Sequence, residues 1–510
     1  MKIASVQLQA RGVREYRQAQ EDILRQIGAA ATQGAELIVL PECAYPAYFL
    51  ELDLEAAEEA LGKTYEVLEA VAAQARKLHV HVVLGVALPE DGKLYNAAVL
   101  IDDEGKILHR AYKSNLWHFD DRTFTSGEDF QTVDTKLGRL GMMVCADGRI
   151  PEIARILALQ GAKLIVDVVN LVASARSPKD LMNQQYAFML PVRAMENRVW
   201  LVTADKCGME GGCAVYLGRS IVVSPEGAIV AECPPDREEI LFYDVDLEMA
   251  KGPEPYSPPE ECAVLCRSTE TLPIAKKMKA DLGPVSTGER LTAVVQFRAN
   301  SLEEYLEKAK WYLHGGQLSY CRCIVLPPYD GEADVMALCA QLQEAIEEAG
   351  VVAFTACLEG GALRAAAVTT ERIWALGEDG VVLHVEEIDG LGYCVLTDAE
   401  PYIPELPRSA MLLGCEVLIW MDRRTRTMDQ KVAQTRAAEN KMFVIRASST
   451  QQDASYVVTP GGTLACTTFQ GAEQLTSALI LRSDGLSKTV YPGTDVVVSR
   501  KPNAYKELIR

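Results

Sequence analysis

Ala4-Ser5-Val6-Gln7-Leu8, followed by Leu37-Ile38-Val39-Leu40-Pro41, is answered far along the chain by Ala293-Val294-Val295-Gln296-Phe297 and Cys323-Ile324-Val325-Leu326-Pro327. Each run is short, apolar and rich in β-branched residues, the pattern of a buried strand. Between the two runs of each pair lies an amphipathic stretch, 14–33 or 301–315, whose apolar spacing predicts a helix. A second helix follows, at 54–77 or 332–349, and then a third strand at 81–87 or 351–357. The order strand, helix, strand, helix, strand is therefore used twice.

The agreement runs on to the end of each copy. Residues 105–109 match 380–384, and Leu140-Gly141-Met142-Met143-Val144 matches Leu391-Gly392-Tyr393-Cys394-Val395. Arg193-Ala194-Met195-Glu196-Asn197 matches Arg436-Ala437-Ala438-Glu439-Asn440. A chain of 510 residues exceeds what one core usually holds, and duplication accounts for that length. The expected domains are 1–250 and 290–510, with 251–289 as a linker or wrapping arm that opens on the proline-rich run 252–259. Helices on one face of each sheet leave the other face to be buried. Two sheets packed face to face with helices outside, an α/β sandwich, satisfy both.

Composition narrows the function classes. The chain is 49% hydrophobic and 24% charged, which excludes a disordered or fibrous protein. No long uninterrupted apolar run predicts a membrane span, and Met1–Gln7 reads as a strand rather than a leader. Acidic residues outnumber basic ones 71 to 51, for a net charge of −20, so nucleic acid and anionic membranes are not expected partners. The 14 cysteines lie mostly in apolar runs, as small buried hydrophobes of a reducing cytoplasm do. Neither Cys321/Cys323 nor Cys262/Cys266 has the partners of a zinc site, and no nucleotide fingerprint appears. No cofactor and no metal are expected.

A duplicated chain carries its own control, because residues present in one copy only are candidates for chemistry. Glu42 follows Leu40-Pro41 where the second copy has Pro328. Lys113 follows Tyr112 where the second copy has a residue near Ile388, and Cys145 closes its strand where the second copy has Leu396. Singly, these residues read as a solvated carboxylate, a surface lysine and a core thiol. Their joint loss from one copy points to a shared task at strand ends, where α/β proteins build sites. A thiol attacks an acyl carbon once a base takes its proton, and a cation with a backbone N–H holds the oxyanion. The same cation is expected to lower the thiol pKa. No histidine is placed for a Cys-His pair.

These motifs resemble the nitrilase superfamily of carbon–nitrogen hydrolases. The resemblance rests on Leu40-Pro41-Glu42, Tyr112-Lys113 and Val144-Cys145-Ala146-Asp147 with Arg149-Ile150-Pro151-Glu152. Further matches are Tyr95-Asn96-Ala97, Phe124 with Gly127, and the tail Arg500–Tyr505. It implies a four-layer αββα sandwich in two tandem copies forming an intrachain pseudo-dimer, with further homo-oligomerisation possible. It implies Glu42 as general base, Cys145 as nucleophile, and Lys113 with the Ala146 backbone N–H as oxyanion holders. The second glutamate that many members carry is replaced within Asp120-Asp121, and Asp121 is the expected substitute. Asp147 and Arg149 are expected to shape the loop after the nucleophile. Cys145-Ala146-Asp147 is nearer the amidase and carbamoylase branches than the Cys-Trp-Glu of true nitrilases. The resemblance therefore implies hydrolysis of a small amide or N-carbamoyl compound. The alternatives are acyl transfer, nitrile hydrolysis and a non-catalytic scaffold. Loops 44–55, 115–135 and 170–190, with Trp117, Phe119, Phe124 and Tyr186, are expected to line the pocket.

Overall fold

A computed structural model describes residues 1–280, 289–376, 383–450 and 452–510. The chain divides into two compact units. The first comprises Met1–Tyr256 with Tyr491–Asp495 and Ser499–Leu508, and the second comprises Ser257–Val490 with Val496–Val498 and Ile509–Arg510. The arm expected at 251–289 thus belongs to the second unit from Ser257 onward. The tail Arg500–Tyr505, expected within the domain 290–510, belongs instead to the first unit.

In the first unit β1 (Lys2–Gln9), β2 (Leu37–Val39), β3 (His81–Glu90), β4 (Lys93–Ile101) and β5 (Ile107–Tyr112) begin one sheet. β6 (Val133–Thr135), β7 (Gly138–Val144), β8 (Leu164–Val168) and β9 (Trp200–Ala204) begin the other. The chain returns to the first sheet with β10 (Lys206–Glu210) and β11 (Ala214–Leu217), and to the second with β12 (Ile221–Val223) and β13 (Ile229–Glu232). It ends with β14 (Glu239–Asp244) antiparallel to β1. The strand orders are β11-β10-β1-β2-β3-β4-β5 and β13-β12-β9-β8-β7-β6.

Strand alternation produces the layers. Ile3, Leu37 and Val39 meet Leu140, Met142 and Val144 in a core between the sheets. Their neighbours Ala4, Val6, Ile38 and Leu40 turn the other way, onto Ile23 and Ile27 of helix Tyr16–Thr32 and Val67 and Val71 of helix Thr64–Leu78. Helices Pro151–Leu159 and Leu190–Asn197 pack on the second sheet. Because β1, β2 and β3 are parallel, as are β7, β8 and β9, the residues that follow β2 and β7 both lie at C-terminal strand ends.

The second unit repeats this plan. β15 (Glu289–Gln296), β16 (Cys323–Val325), β17 (Tyr329–Glu332), β18 (Val352–Glu359), β19 (Ala362–Val368) and β20 (Ile373–Leu376) make one sheet. β21 (Glu386–Ile388), β22 (Leu391–Thr397), β23 (Val417–Asp422), β24 (Phe443–Ser448), β25 (Tyr456–Val458) and β26 (Leu464–Thr467) make the other. β27 (Gln474–Leu481) pairs with β15 as β14 does with β1. Val294, Val325 and Phe354 meet Tyr393, Val417 and Ile419 between the sheets, while Ala293, Val295 and Ile324 face Tyr305, Ala309 and Leu342 on the outer helices. Each unit is thus an αββα sandwich. Among the described residues no helix is long and apolar enough to cross a membrane.

Pairing registers fix which residues correspond, and they move two of the matches read from the sequence. Leu140 lies opposite Val133 and Leu164, and Tyr393 lies opposite Glu386 and Val417. Leu140 therefore answers Tyr393, and the counterpart of Cys145 is Asp398 rather than Leu396. Both take a left-handed backbone, with φ of 53° at Cys145 and 42° at Asp398. Ile388 lies in the strand equivalent to β6, not at the position of Lys113. That position follows β20 and falls in 377–382, outside the described residues, as does part of the 380–384 match. Pro328 does answer Glu42, since Val39 and Val325 hold equivalent places in their sheets.

Candidate active site

Glu42 stands just beyond β2, at 0% exposure. The turn that carries it lies directly on β3. A Cβ at Gly85 would fall 2.0 Å from the Pro41 carbonyl oxygen and 2.6 Å from Glu42 Cα, so only glycine admits this approach. Asn96 Nδ2 on β4 donates to Glu42 Oε1 at 2.6 Å, and Lys113 Nζ donates to the same oxygen at 2.8 Å. Glu42 Oε2 is buried and has no hydrogen-bond partner among the described residues.

Lys113 follows β5 and is fully buried. Its ammonium lies 2.7 Å from Asp120 Oδ2 as well as 2.8 Å from Glu42, and 5.4 Å from the centre of the Tyr48 ring. Burial alone would push its pKa down. Asp120 and Glu42 reverse this and hold it well above the ordinary lysine range, so the ammonium stays charged. Asp120, not Asp121, is therefore the second carboxylate at the lysine. Asp120 is 0% exposed, accepts from Tyr48 Oη at 2.5 Å and from the Trp117 N–H at 2.8 Å, and opens the helical turn Asp120–Thr123. The next residue of that turn points elsewhere, and Asp121 is exposed.

Cys145 sits where β7 breaks into the short turn Cys145–Arg149, and its left-handed φ of 53° is a strained choice for a residue with a side chain. The elbow is held from several sides. Cys145 N–H donates to Asp167 Oδ1 at 2.7 Å, Gln185 Nε2 donates to the Cys145 carbonyl at 2.8 Å, and Sγ lies 3.8 Å from the Asn170 carbonyl. Burial, then Glu42, raise the thiol pKa well above its usual value against the opposing pull of Lys113. The expected net lowering by the lysine is not what this site produces. Lys113 does pull downward, but burial outweighs it, so the resting group is a thiol that needs a base.

Ala146, Asp147 and Arg149 complete the turn and are all buried. Asn115 Nδ2 donates to the Ala146 carbonyl at 2.9 Å. Asp147 ties the loop after Lys113 to the elbow. Its Oδ1 accepts from the Ser114 and Asn115 N–H groups at 3.0 and 2.7 Å, and its Oδ2 accepts from the Val144 N–H at 3.2 Å. Burial raises its pKa to about 6 in spite of those donors. The Arg149 guanidinium lies 5.2 Å from the centre of the Trp117 ring. Behind the turn, Arg193 donates to the carbonyls of Gly148 and Arg149 and pairs with Glu196 at 2.5 Å. The second unit repeats that pair as Arg436–Glu439, also at 2.5 Å, which marks it as part of the shared fold.

Of the aromatic residues expected around the pocket, Phe124 and Phe119 pack on Tyr48, and Trp117 stacks on Tyr491. Tyr186 lies under the Arg219 guanidinium. Asp167 escaped the motif reading. Its signal is an aspartate inside the otherwise apolar run Leu164–Val168, and burial, with Asp147 nearby, raises its pKa well above the carboxylate range.

Residues 2–252 match the family model described as Carbon-nitrogen hydrolase. A nitrilase of Pyrococcus abyssi (strain GE5 / Orsay) is 33% identical over 231 residues, covering 44% of this chain and 82% of its own length. An omega-amidase of Homo sapiens is 30% identical over 235 residues, covering 44% of this chain and 80% of its own. Among solved structures, an amidase from Nesterenkonia sp. is 28% identical with a TM-score of 0.43, covering 48% of this chain and 90% of that one.

Proposed function

The chain belongs to the carbon–nitrogen hydrolase family, and from that premise we propose that its first unit hydrolyses the C–N bond of a small amide or N-carbamoyl compound through an acyl-enzyme on Cys145. The observation that carries this reading is the buried ammonium of Lys113, held between Glu42 at 2.8 Å and Asp120 at 2.7 Å. A charge kept in so dry a place is poised to stabilise negative charge that develops nearby.

Glu42 Oε2 takes the Sγ proton as sulfur attacks the acyl carbon, and the C–O π pair becomes an oxyanion. Lys113 Nζ and the Ala146 N–H receive it. When the oxyanion collapses, the C–N bond breaks and Glu42 returns the proton to the leaving nitrogen, releasing ammonia or an amine. Water then enters, Glu42 takes its proton, and hydroxide adds to the thioester carbon. The second collapse expels the Cys145 sulfur, which regains a proton from Glu42 as the acid departs. A raised thiol pKa fits this order, because proton removal and attack are then coupled rather than sequential.

Incubation with a panel of primary amides and N-carbamoyl compounds tests the reading. Released ammonia and a rapidly quenched adduct on the Cys145 peptide are expected for the wild type, with neither from Cys145→Ala. Turnover that survives Cys145→Ala overturns it. Turnover in water alone separates hydrolysis from acyl transfer, since a hydrolase releases free acid without an added amine, whereas a transferase stalls at the acyl-enzyme until an amine acceptor is supplied.

A further inference from the structure

The loop that delivers Asp120 to Lys113 is pinned by residues from the far end of the chain. Within the first unit, His118 N–H donates to Thr494 Oγ1 at 2.8 Å, and that hydroxyl donates to the Leu116 carbonyl at 3.1 Å. One side chain thus ties the backbone on both sides of Trp117. Thr494 is 2% exposed, so its hydroxyl makes these bonds away from competing water. Gly493 packs on the same loop at φ +86°, where an added Cβ would fall 2.2 Å from the His118 carbonyl oxygen. Tyr491 covers it from outside, with its ring 5.8 Å from that of Trp117 and 4.8 Å from that of His118.

The pinned segment is also the one that aims the carboxylate. Trp117 N–H donates to Asp120 Oδ2, the oxygen that faces Lys113, and the Asp120 N–H donates to the Trp117 carbonyl at 2.9 Å. His118 itself takes a left-handed φ of 53°, a conformation that a side-chain-bearing residue holds only when its surroundings fix it.

We infer that Thr494, seated by Gly493, is a positioning residue for the Asp120–Lys113 pair, so that the last stretch of the chain completes the active site of the first unit. Thr494 bonds the backbone at His118 and Leu116, not the lysine. It acts by fixing residues 116–118, and through them the distance from the Asp120 carboxylate to the ammonium. The inference rests on the reading of Lys113 as the oxyanion-holding cation.

Full-length Thr494→Val, Thr494→Ser and Cys145→Ala test it together. Thr494→Val keeps the shape and removes the hydroxyl. It is expected to lower kcat about tenfold with KM little changed, since the oxyanion forms only after binding. The alkaline limb of its pH–rate profile is expected to move to lower pH, because Lys113 loses a neighbour that holds its proton. Thr494→Ser restores the hydroxyl and should return both quantities to wild type. Wild-type kcat and pH profile in Thr494→Val, with Cys145→Ala inactive, overturn the positioning role alone. Equal losses in Thr494→Val and Thr494→Ser, tracking a lowered Tm, also overturn it, because they mark a merely structural contact. Activity in Cys145→Ala instead overturns the reading of the site.

Discussion

Lys113 carries its charge where water does not reach because two carboxylates, Glu42 and Asp120, face it. Asp120→Asn removes the largest of the attractions that raise the lysine pKa while leaving a side chain that still bonds Tyr48 and Trp117. The lysine pKa must then fall. The alkaline limb of the kcat/KM profile is expected to shift to lower pH, and the plateau to drop by about tenfold to a hundredfold. Asp121→Asn should change neither, and a pH–rate series on the two variants decides between the neighbouring residues. Sequence motifs made Glu42, Lys113 and Cys145 legible, because each was lost from a copy that otherwise kept its pattern. They could not choose within Asp120-Asp121. Adjacent residues in a helical turn point about 100° apart, and only packing against Tyr48 says which one faces inward.

At the scale of elements, the site depends on two backbone approaches, the Pro41-Glu42 turn onto β3 and the elbow after β7. Gly85→Ala places a methyl group 2.0 Å from a carbonyl oxygen on rigid strand-end backbone. It should cost about 3 kcal/mol or more of stability, measured by urea unfolding of the purified protein. Activity should fall further than stability, because what moves to relieve the clash is Glu42 itself. The sequence showed the strands clearly, through apolar alternation on both sides of each sheet. It did not show the register between the copies. Matching Leu140-Gly141 with Leu391-Gly392 displaces the alignment by two residues, and strand side chains repeat with period two. Every inward residue stays inward under such a slip, so hydrophobic patterning cannot reveal it. Hydrogen-bonded pairing of β7 with β8 and of β22 with β23 does, and it puts Asp398 at the second elbow.

For the whole molecule, an aspartate at the second elbow leads us to expect one reactive centre per chain. Asp398 accepts from Arg423 Nη2 at 2.5 Å, and close by Arg446 binds Asp422 and Asp429 at 2.9 Å each. The strand end that holds a thiol in the first unit holds an ion pair in the second, and Pro328 stands where the first unit has the Glu42 carboxylate. The duplication itself was plain in the sequence. The exchange of ends was not, since Tyr491–Asp495 and Ser499–Leu508 reveal their place in the first unit only through their contacts. Rapid quench under saturating amide, followed by intact mass and peptide mapping, is therefore expected to show at most one acyl group per chain, on Cys145. Asp398→Cys makes the test sharper. It supplies a thiol at an elbow of the same hand, yet it should still leave one acyl group per chain, because Pro328 cannot take the sulfur's proton. A second acyl group on position 398 would show that the elbow alone suffices. Acylation confined to Cys145 would show that chemistry needs the carboxylate and the ammonium that the second copy gave up.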